Sequence, residues 1–198
     1  MDTRPAFQNQ GLDFVHPAKG KTPGFDLRWS TPLKGLKLGG SLMMYDASGP
    51  LTNGTYYQPL AFWPTYYAQY NHKRLSASWQ YVKLVQYQIV TLAGQPPSTS
   101  GTDTRAWFVM GSYRLTEKLQ LGAYYTRYTV PSAGDPANPA NFFNDVVISG
   151  RYDINPHLYA KLEGHRMNGT GVGFYDFDNL NSPSAKTSLA VAKIGFTF

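Results

Sequence analysis

Residue types that catalyse reactions or bind metals occur in this chain, but not at the spacing that such chemistry needs. The four histidines, His16, His72, His157 and His165, lack the His-x-x-x-His spacing of a helical metal site. There is no cysteine to supply a thiolate, and no Gly-x-Ser-x-Gly nucleophile motif. We therefore predict that the protein is not an enzyme and has no metal or other cofactor.

Two alternatives stay open at this point. Ser149 with His165 and a nearby Asn has the residue types of a barrel-borne phospholipase, although a nucleophile needs a base within reach. Asp176 and Asp178, in a segment with turn-forming residues, could offer oxygen ligands to Ca²⁺. Loop acids of this kind are more often simply solvated.

The chain is basic, with a formal net charge of +6. Its bases are scattered singly, and His72-Lys73-Arg74 is the only tight cluster. Without a nucleic-acid-binding motif, this distribution predicts no nucleic acid partner. A basic channel interior explains the charge better.

The composition is typical of a transmembrane β-barrel. Aromatic residues and charged residues each make up 15% of the chain, whereas an ordinary soluble domain has about a quarter charged residues. Mean hydropathy is -0.37, and no apolar run reaches the ~18 residues of a membrane helix. A wall that alternates apolar and polar residues has these properties.

Alternating segments separated by turn residues predict about nine strands. They lie near 25–30, 36–45, 66–70, 75–84, 107–114, 119–128, 145–152, 158–167 and 187–198. Four connections of four or five residues alternate with four long ones at 46–65, 85–106, 129–144 and 168–186. Outer-membrane barrels alternate tight periplasmic turns and long extracellular loops in this way.

The predicted fold is an all-β, antiparallel, up-and-down transmembrane β-barrel formed by residues 1–198 as a single domain. Residues 1–22 are expected to be a loop or disordered lead-in, without the apolar core of a secretory signal. An odd number of strands favours the C-terminal part of a larger barrel, because complete barrels have an even number. A strand missed at 56–62 is the alternative.

Two hairpins and the last strand resemble those of Gram-negative porins. The segment Thr31-Pro32-Leu33-Lys34-Gly35-Leu36-Lys37-Leu38-Gly39 is similar to a porin hairpin, and 151–163 is similar to the penultimate hairpin. Phe196 and Phe198 resemble the signal that the outer-membrane assembly machinery recognises, although the usual pattern has Gly where this chain has Lys193. The resemblance spans roughly residues 24 to 198. It implies a bacterial outer-membrane location, lipid and the assembly machinery as partners, and leaves a homo-oligomer open.

If the apolar faces contact lipid, the opposite faces line the lumen. The predicted pore-lining residues are Arg28, Lys37, Arg114, Arg151, Lys161, Lys193, Asp26, Asp145, Asp153 and Glu163. Their positive excess predicts a weak preference for anions, unless the charges pair across strands and only keep the lumen wet.

Eight aromatic residues fall near the predicted strand ends, as in interfacial girdles. These are Trp29, Tyr66, Tyr70, Tyr81, Trp107, Tyr113, Tyr125 and Tyr152. The sequence thus predicts a porin-like channel for passive diffusion of small hydrophilic or anionic solutes. A soluble β-barrel that binds a small ligand, and a non-conducting structural or adhesive outer-membrane barrel, are the competing interpretations.

Overall fold

The computed structural model describes residues 13–172 and 184–196. Within them the chain forms a single antiparallel sheet of nine strands, in which each strand pairs with the next along the sequence. The strands are β1 (Gly24–Ser30), β2 (Leu36–Leu51), β3 (Gly54–His72), β4 (Leu75–Leu92), β5 (Ser98–Arg114), β6 (Leu119–Thr129), β7 (Phe142–Asn155), β8 (Leu158–Asn168) and β9 (Lys186–Phe196). The prediction of an all-β, up-and-down antiparallel fold is confirmed.

Helical structure in the described residues is limited to two 3-10 turns, Pro131–Ala133 and Pro139–Asn141, between β6 and β7. No helix in this part of the chain is long and apolar enough to cross a membrane.

The four tight turns lie where the sequence places them, but the prediction of two long loops is wrong. The segments expected to be loops at 46–65 and 85–106 are largely strand, because β2, β3, β4 and β5 continue beyond their predicted ends. A two-residue connection, Thr52-Asn53, joins β2 to β3, and residues 93–97 join β4 to β5. Residues 130–141 do form a long connection, between β6 and β7, as predicted.

The segment from Tyr56 to Phe62 is not a missed strand. It belongs to β3, whose pairing with β4 is irregular between Tyr57 and Phe62. The described part of the lead-in continues alongside β2 through bridges from Phe14 to Leu51 and from Lys19 to Ser48.

The register shows that the strands are tilted. Following paired residues from Ser30, at the turn end of β1, leads across the sheet to Leu189 in β9. Leu189 lies seven positions before Phe196, which pairs with Leu158 just after the last tight turn. With about 3.3 Å per residue and about 4.8 Å between strands, this offset corresponds to a tilt of about 30° relative to the line of turns. Strands in membrane barrels tilt by about 35–45°.

The two faces of the sheet differ in crowding. Val147 is fully buried, while its neighbours on the other face, Val146 and Ile148, are 49% and 70% exposed. In β8, the side chain of Glu163 is 17% exposed, but Leu162 is 62% exposed. No second layer of described residues packs on this part of the sheet. The difference therefore indicates a curved sheet, with the face of Val147 and Glu163 on the concave side and the face of Leu162 on the convex side.

Candidate functional site

Near the tight turns, the charged side chains of the sheet lie on the concave face. Strand alternation and cross-strand register place every predicted pore-lining residue on this face. This holds for Asp26, Arg28, Lys37, Arg114, Asp145, Arg151, Asp153, Lys161, Glu163 and Lys193. That they line a pore is a prediction that this placement does not itself test.

Six of these residues form a cluster near the tight turns of β5 to β9, here called the cationic cluster. Its cations occupy a single row of register partners, in which Arg151 pairs with Lys161 and Lys161 pairs with Lys193. The row continues through Gln120 to Arg114. The acids of the cluster are Asp153 and Glu163.

Ion pairs neutralise only part of the cationic cluster. Asp153 accepts from both Arg114 (2.9 Å) and Arg151 (2.7 Å), and Lys161 lies 2.9 Å from Glu163. Four cations and two carboxylates leave an excess of two positive charges. Among the described residues Lys193 forms no ion pair within 4 Å, although it lies directly opposite Lys161.

At each end of the sheet a tyrosine contacts charged side chains, and each of these tyrosines lies opposite a glycine on the neighbouring strand. The guanidinium of Arg151 lies 3.9 Å from the ring centroid of Tyr159, which pairs with Gly195. A Cβ atom at Gly195 would overlap the Tyr159 ring. The missing side chain at Gly195 therefore leaves the space that the ring of Tyr159 occupies next to Arg151.

The same arrangement recurs between β1, β2 and β3. Tyr67 lies across Gly39, and its hydroxyl donates to Asp26 (2.9 Å) and accepts from Arg28 (3.1 Å). Arg28 also donates to Asp26 at 2.7 Å. The sequence places the two charges on this face but does not reveal the tyrosine, because the long loop predicted between the two strands leaves the pairing of Gly39 with Tyr67 undetermined.

The third group on the concave face is the pair of Asp145 and His165. Asp145 is 7% exposed, and its Oδ2 lies 2.9 Å from Nδ1 of His165. Ser149 instead donates to the carbonyl of Gly122, so the histidine contacts a carboxylate and not the candidate nucleophile. The described residues contain no cluster of three or more His, Asp or Glu that could hold a metal.

The half of the convex face nearest the tight turns is apolar. From the tight turns, about eight residues of each strand present no Lys, Arg, Asp or Glu on this face. Large apolar side chains here are strongly exposed, including Leu27 at 72%, Ile194 at 69% and Phe196 at 70%. At a tilt of about 30°, eight residues cover about 23 Å along the normal to the line of turns.

All eight predicted girdle aromatics lie on the convex face. Four are near the tight turns, namely Trp29, Tyr70, Tyr113 and Tyr152. The other four lie about six or seven residues from the turns, toward the far edge of the apolar band. They are Tyr66, Tyr81, Trp107 and Tyr125.

Some predicted features fall outside the described residues. Phe198 of the expected assembly signal and the loop acids Asp176 and Asp178 are among them. Phe196 is described, and it lies on the convex face opposite Leu158.

Comparison with known proteins gives little guidance. No protein-family model matches the chain, and no curated protein is significantly similar to it. The chain is similar to a solved structure described as the NanC porin in a rhombohedral crystal form, at 12% identity and a TM-score of 0.47. The similarity covers 94% of this chain and 100% of that one. At this identity and score it assigns neither a family nor a function.

Proposed function

We propose that the nine-stranded sheet forms part of the wall of a transmembrane β-barrel in the bacterial outer membrane. We further propose that its concave face lines a channel for small hydrophilic solutes. The observation that carries this proposal is the contrast between the faces. The convex face exposes a charge-free apolar band about 23 Å high, close to the ~25 Å band of outer-membrane barrels. A contiguous apolar surface of this extent needs an apolar environment.

The concave polar face distinguishes this function from a soluble ligand-binding barrel. Such a protein would have apolar side chains inside and charged side chains outside. Here the ionised groups Arg151, Lys161 and Glu163 point to the inside of the curve, and Leu162 and Ile194 point outward. This is the arrangement of a lumen filled with water.

Passage through such a lumen is diffusive, and the cationic cluster supplies its selectivity. The cluster's two excess positive charges lower the energy of an anion beside it and raise that of a cation. The ion pairs with Asp153 and Glu163 hold the cationic side chains in place on the wall. The result is a weak preference for anions without covalent chemistry.

The first experiment is to fold the purified chain in detergent and compare its circular dichroism and gel mobility before and after boiling. The proposal predicts a β spectrum, a heat-modifiable band seen only with detergent or lipid, and discrete conductance in planar bilayers. A monomeric β-protein that is soluble in plain buffer would contradict it. A heat-modifiable barrel without conductance would instead favour the structural or adhesive alternative.

A further inference from the structure

The convex face carries cations at a single level, just beyond the apolar band. Each lies about eight to ten residues from the tight-turn end of its strand, on the side of the band away from those turns. We call this set the outward belt. It consists of Lys83 in β4, Arg105 in β5, Arg127 in β6, Arg166 in β8 and Lys186 in β9.

The register confirms that the belt points away from the cationic cluster. Lys83 pairs with Arg105, and Arg127 pairs with the girdle residue Trp107. Arg166 pairs with Val146 and Ser188 on the convex face. Because adjacent side chains of a strand point to opposite faces, these cations belong to the outer surface of the wall.

The belt is under-compensated by the protein itself. Arg105 donates to Asp103 at 2.7 Å, and this hydrogen bond holds the pKa of the Asp103 carboxyl below its usual range. Among residues 13–172 and 184–196, no carboxylate lies within 4 Å of the charged groups of Lys83, Arg127 or Arg166. Like charges directly opposite each other on a sheet repel. Asp103 also lies within electrostatic range of Lys83, but one carboxylate against two cations leaves the Lys83–Arg105 pair with an excess positive charge. This excess favours an additional anion supplied from outside.

We infer that the outward belt binds the phosphate groups of a phosphorylated glycolipid in the loop-side leaflet, of the lipid A type. This inference rests on the proposed membrane embedding. The belt lies where the headgroups of that leaflet meet the wall, directly above the aromatic residues Tyr81, Trp107 and Tyr125. Guanidinium groups match phosphate oxygens in geometry, and lysine adds a point charge.

The spacing of the belt favours a headgroup with more than one phosphate. Lys83 and Arg105 are direct neighbours across strands, and Arg127 is diagonal to Arg105. Directly opposed Cβ atoms lie about 5 Å apart and diagonal ones about 7–8 Å apart. Two phosphates on one sugar headgroup can contact this group of three cations together, whereas a phospholipid with one phosphate contacts only part of it.

The test is lipid binding by the folded protein in detergent micelles, measured by native mass spectrometry. The probes are lipid A with two phosphates, its monophosphoryl form and a dephosphorylated form. The test variant combines Lys83→Gln, Arg105→Gln and Arg127→Gln, and so removes all three cations of this group. The control variant removes three lysines from the tight turns at the opposite end of the strands, by Lys34→Gln, Lys73→Gln and Lys118→Gln.

The wild type and the control should prefer the diphosphorylated lipid. The test variant should bind it roughly 100-fold more weakly, since a lysine or arginine near anionic headgroups contributes about a factor of five. If the triple variant does not fold, Arg127→Gln alone should weaken binding by about fivefold. Equal binding by test and control variants, or indifference to the number of phosphates, would overturn the inference.

This experiment separates the belt from the channel. If the wild type folds and conducts but binds all three lipids equally, the proposed lipid site at the belt is wrong, while the proposed channel still holds. A wild type without a heat-modifiable band overturns the membrane embedding and the belt with it.

Discussion

The double variant Lys161→Gln/Lys193→Gln probes how the concave face acts on passing ions. The cationic cluster contains four cations and two carboxylates, so this change lowers its net charge from +2 to zero. Both positions are in strand interiors, and glutamine keeps a hydrogen-bonding group at the end of each side chain. The wall should fold as before while its local potential falls.

The size of the effect follows from Coulomb interaction and screening. A unit charge about 8 Å from an ion's path contributes about 0.5 kcal/mol in water, which a Debye length of about 10 Å at 0.1 M salt reduces to about 0.2 kcal/mol. Removing two such charges acts on anions and cations with opposite sign. The anion-to-cation permeability ratio should therefore fall roughly fivefold at 0.1 M salt, and by well under twofold at 1 M, where the Debye length is about 3 Å.

The assay is the reversal potential across a planar bilayer under a KCl gradient, at low and at high ionic strength. Arg127→Gln/Arg166→Gln is the matched control, because it also removes two cations from the sheet, but from its convex face and beyond the apolar band. The control should keep the wild-type selectivity. Equal shifts in both variants, a shift that does not depend on salt, or a wild type that clearly prefers cations would contradict this role of the cationic cluster.

Three further changes test the structure behind this site. Gly39→Ala should destabilise the protein by about 1–3 kcal/mol, because the new methyl group overlaps the Tyr67 ring. Urea unfolding in lipid vesicles would measure this loss. The control Gly164→Ala should cost less, because a Cβ at that position has no atom within 4 Å. Leu162→Lys should cost about 2–4 kcal/mol in vesicles if position 162 faces lipid, whereas a soluble protein would tolerate lysine at a site that is 62% exposed. Burial raises the pKa of Tyr56 to about 12. As the pH rises, the unfolded chain therefore loses the Tyr56 proton before the folded protein does, and the free energy of unfolding should fall between about pH 10 and 12. In alkaline unfolding experiments, the Tyr56→Phe variant should lack this part of the decline.

The sequence predicts the tight-turn half of the sheet well and the loop half poorly. Near the turns, alternation is strict because one face is apolar, as in Leu75, Ala77 and Trp79, and strand ends follow from it. Beyond the band the outer face no longer needs apolar side chains. Strand β5 begins with Ser98-Thr99-Ser100-Gly101, which has the composition of a loop. Backbone pairing with β4 makes it a strand, and composition does not reveal such pairing.

Candidate site residues are predictable as a face and not as a cluster. Alternation assigns Lys161 and Glu163 to one side of β8, but register decides that Lys193 lies opposite Lys161. Asp145 and His165 are in contact across β7 and β8 although they lie 20 positions apart in the chain, so no short sequence pattern predicts this contact. The sequence does allow the outward belt to be predicted, because Lys83 lies two positions after Tyr81 and therefore on the aromatic face of β4.

The most direct test of the account is single-cysteine scanning of β8, which is clean because the chain contains no cysteine. Cysteines at 160 to 165 would be labelled in vesicles with a water-soluble maleimide, and separately with a fluorophore that brominated lipids quench. We expect strict alternation, with lipid quenching of cysteines that replace Ala160, Leu162 and Gly164, and aqueous labelling of cysteines that replace Lys161, Glu163 and His165. Inverted alternation, or uniform aqueous labelling at all six positions, would contradict the claim that the convex face contacts lipid and the concave face contacts water.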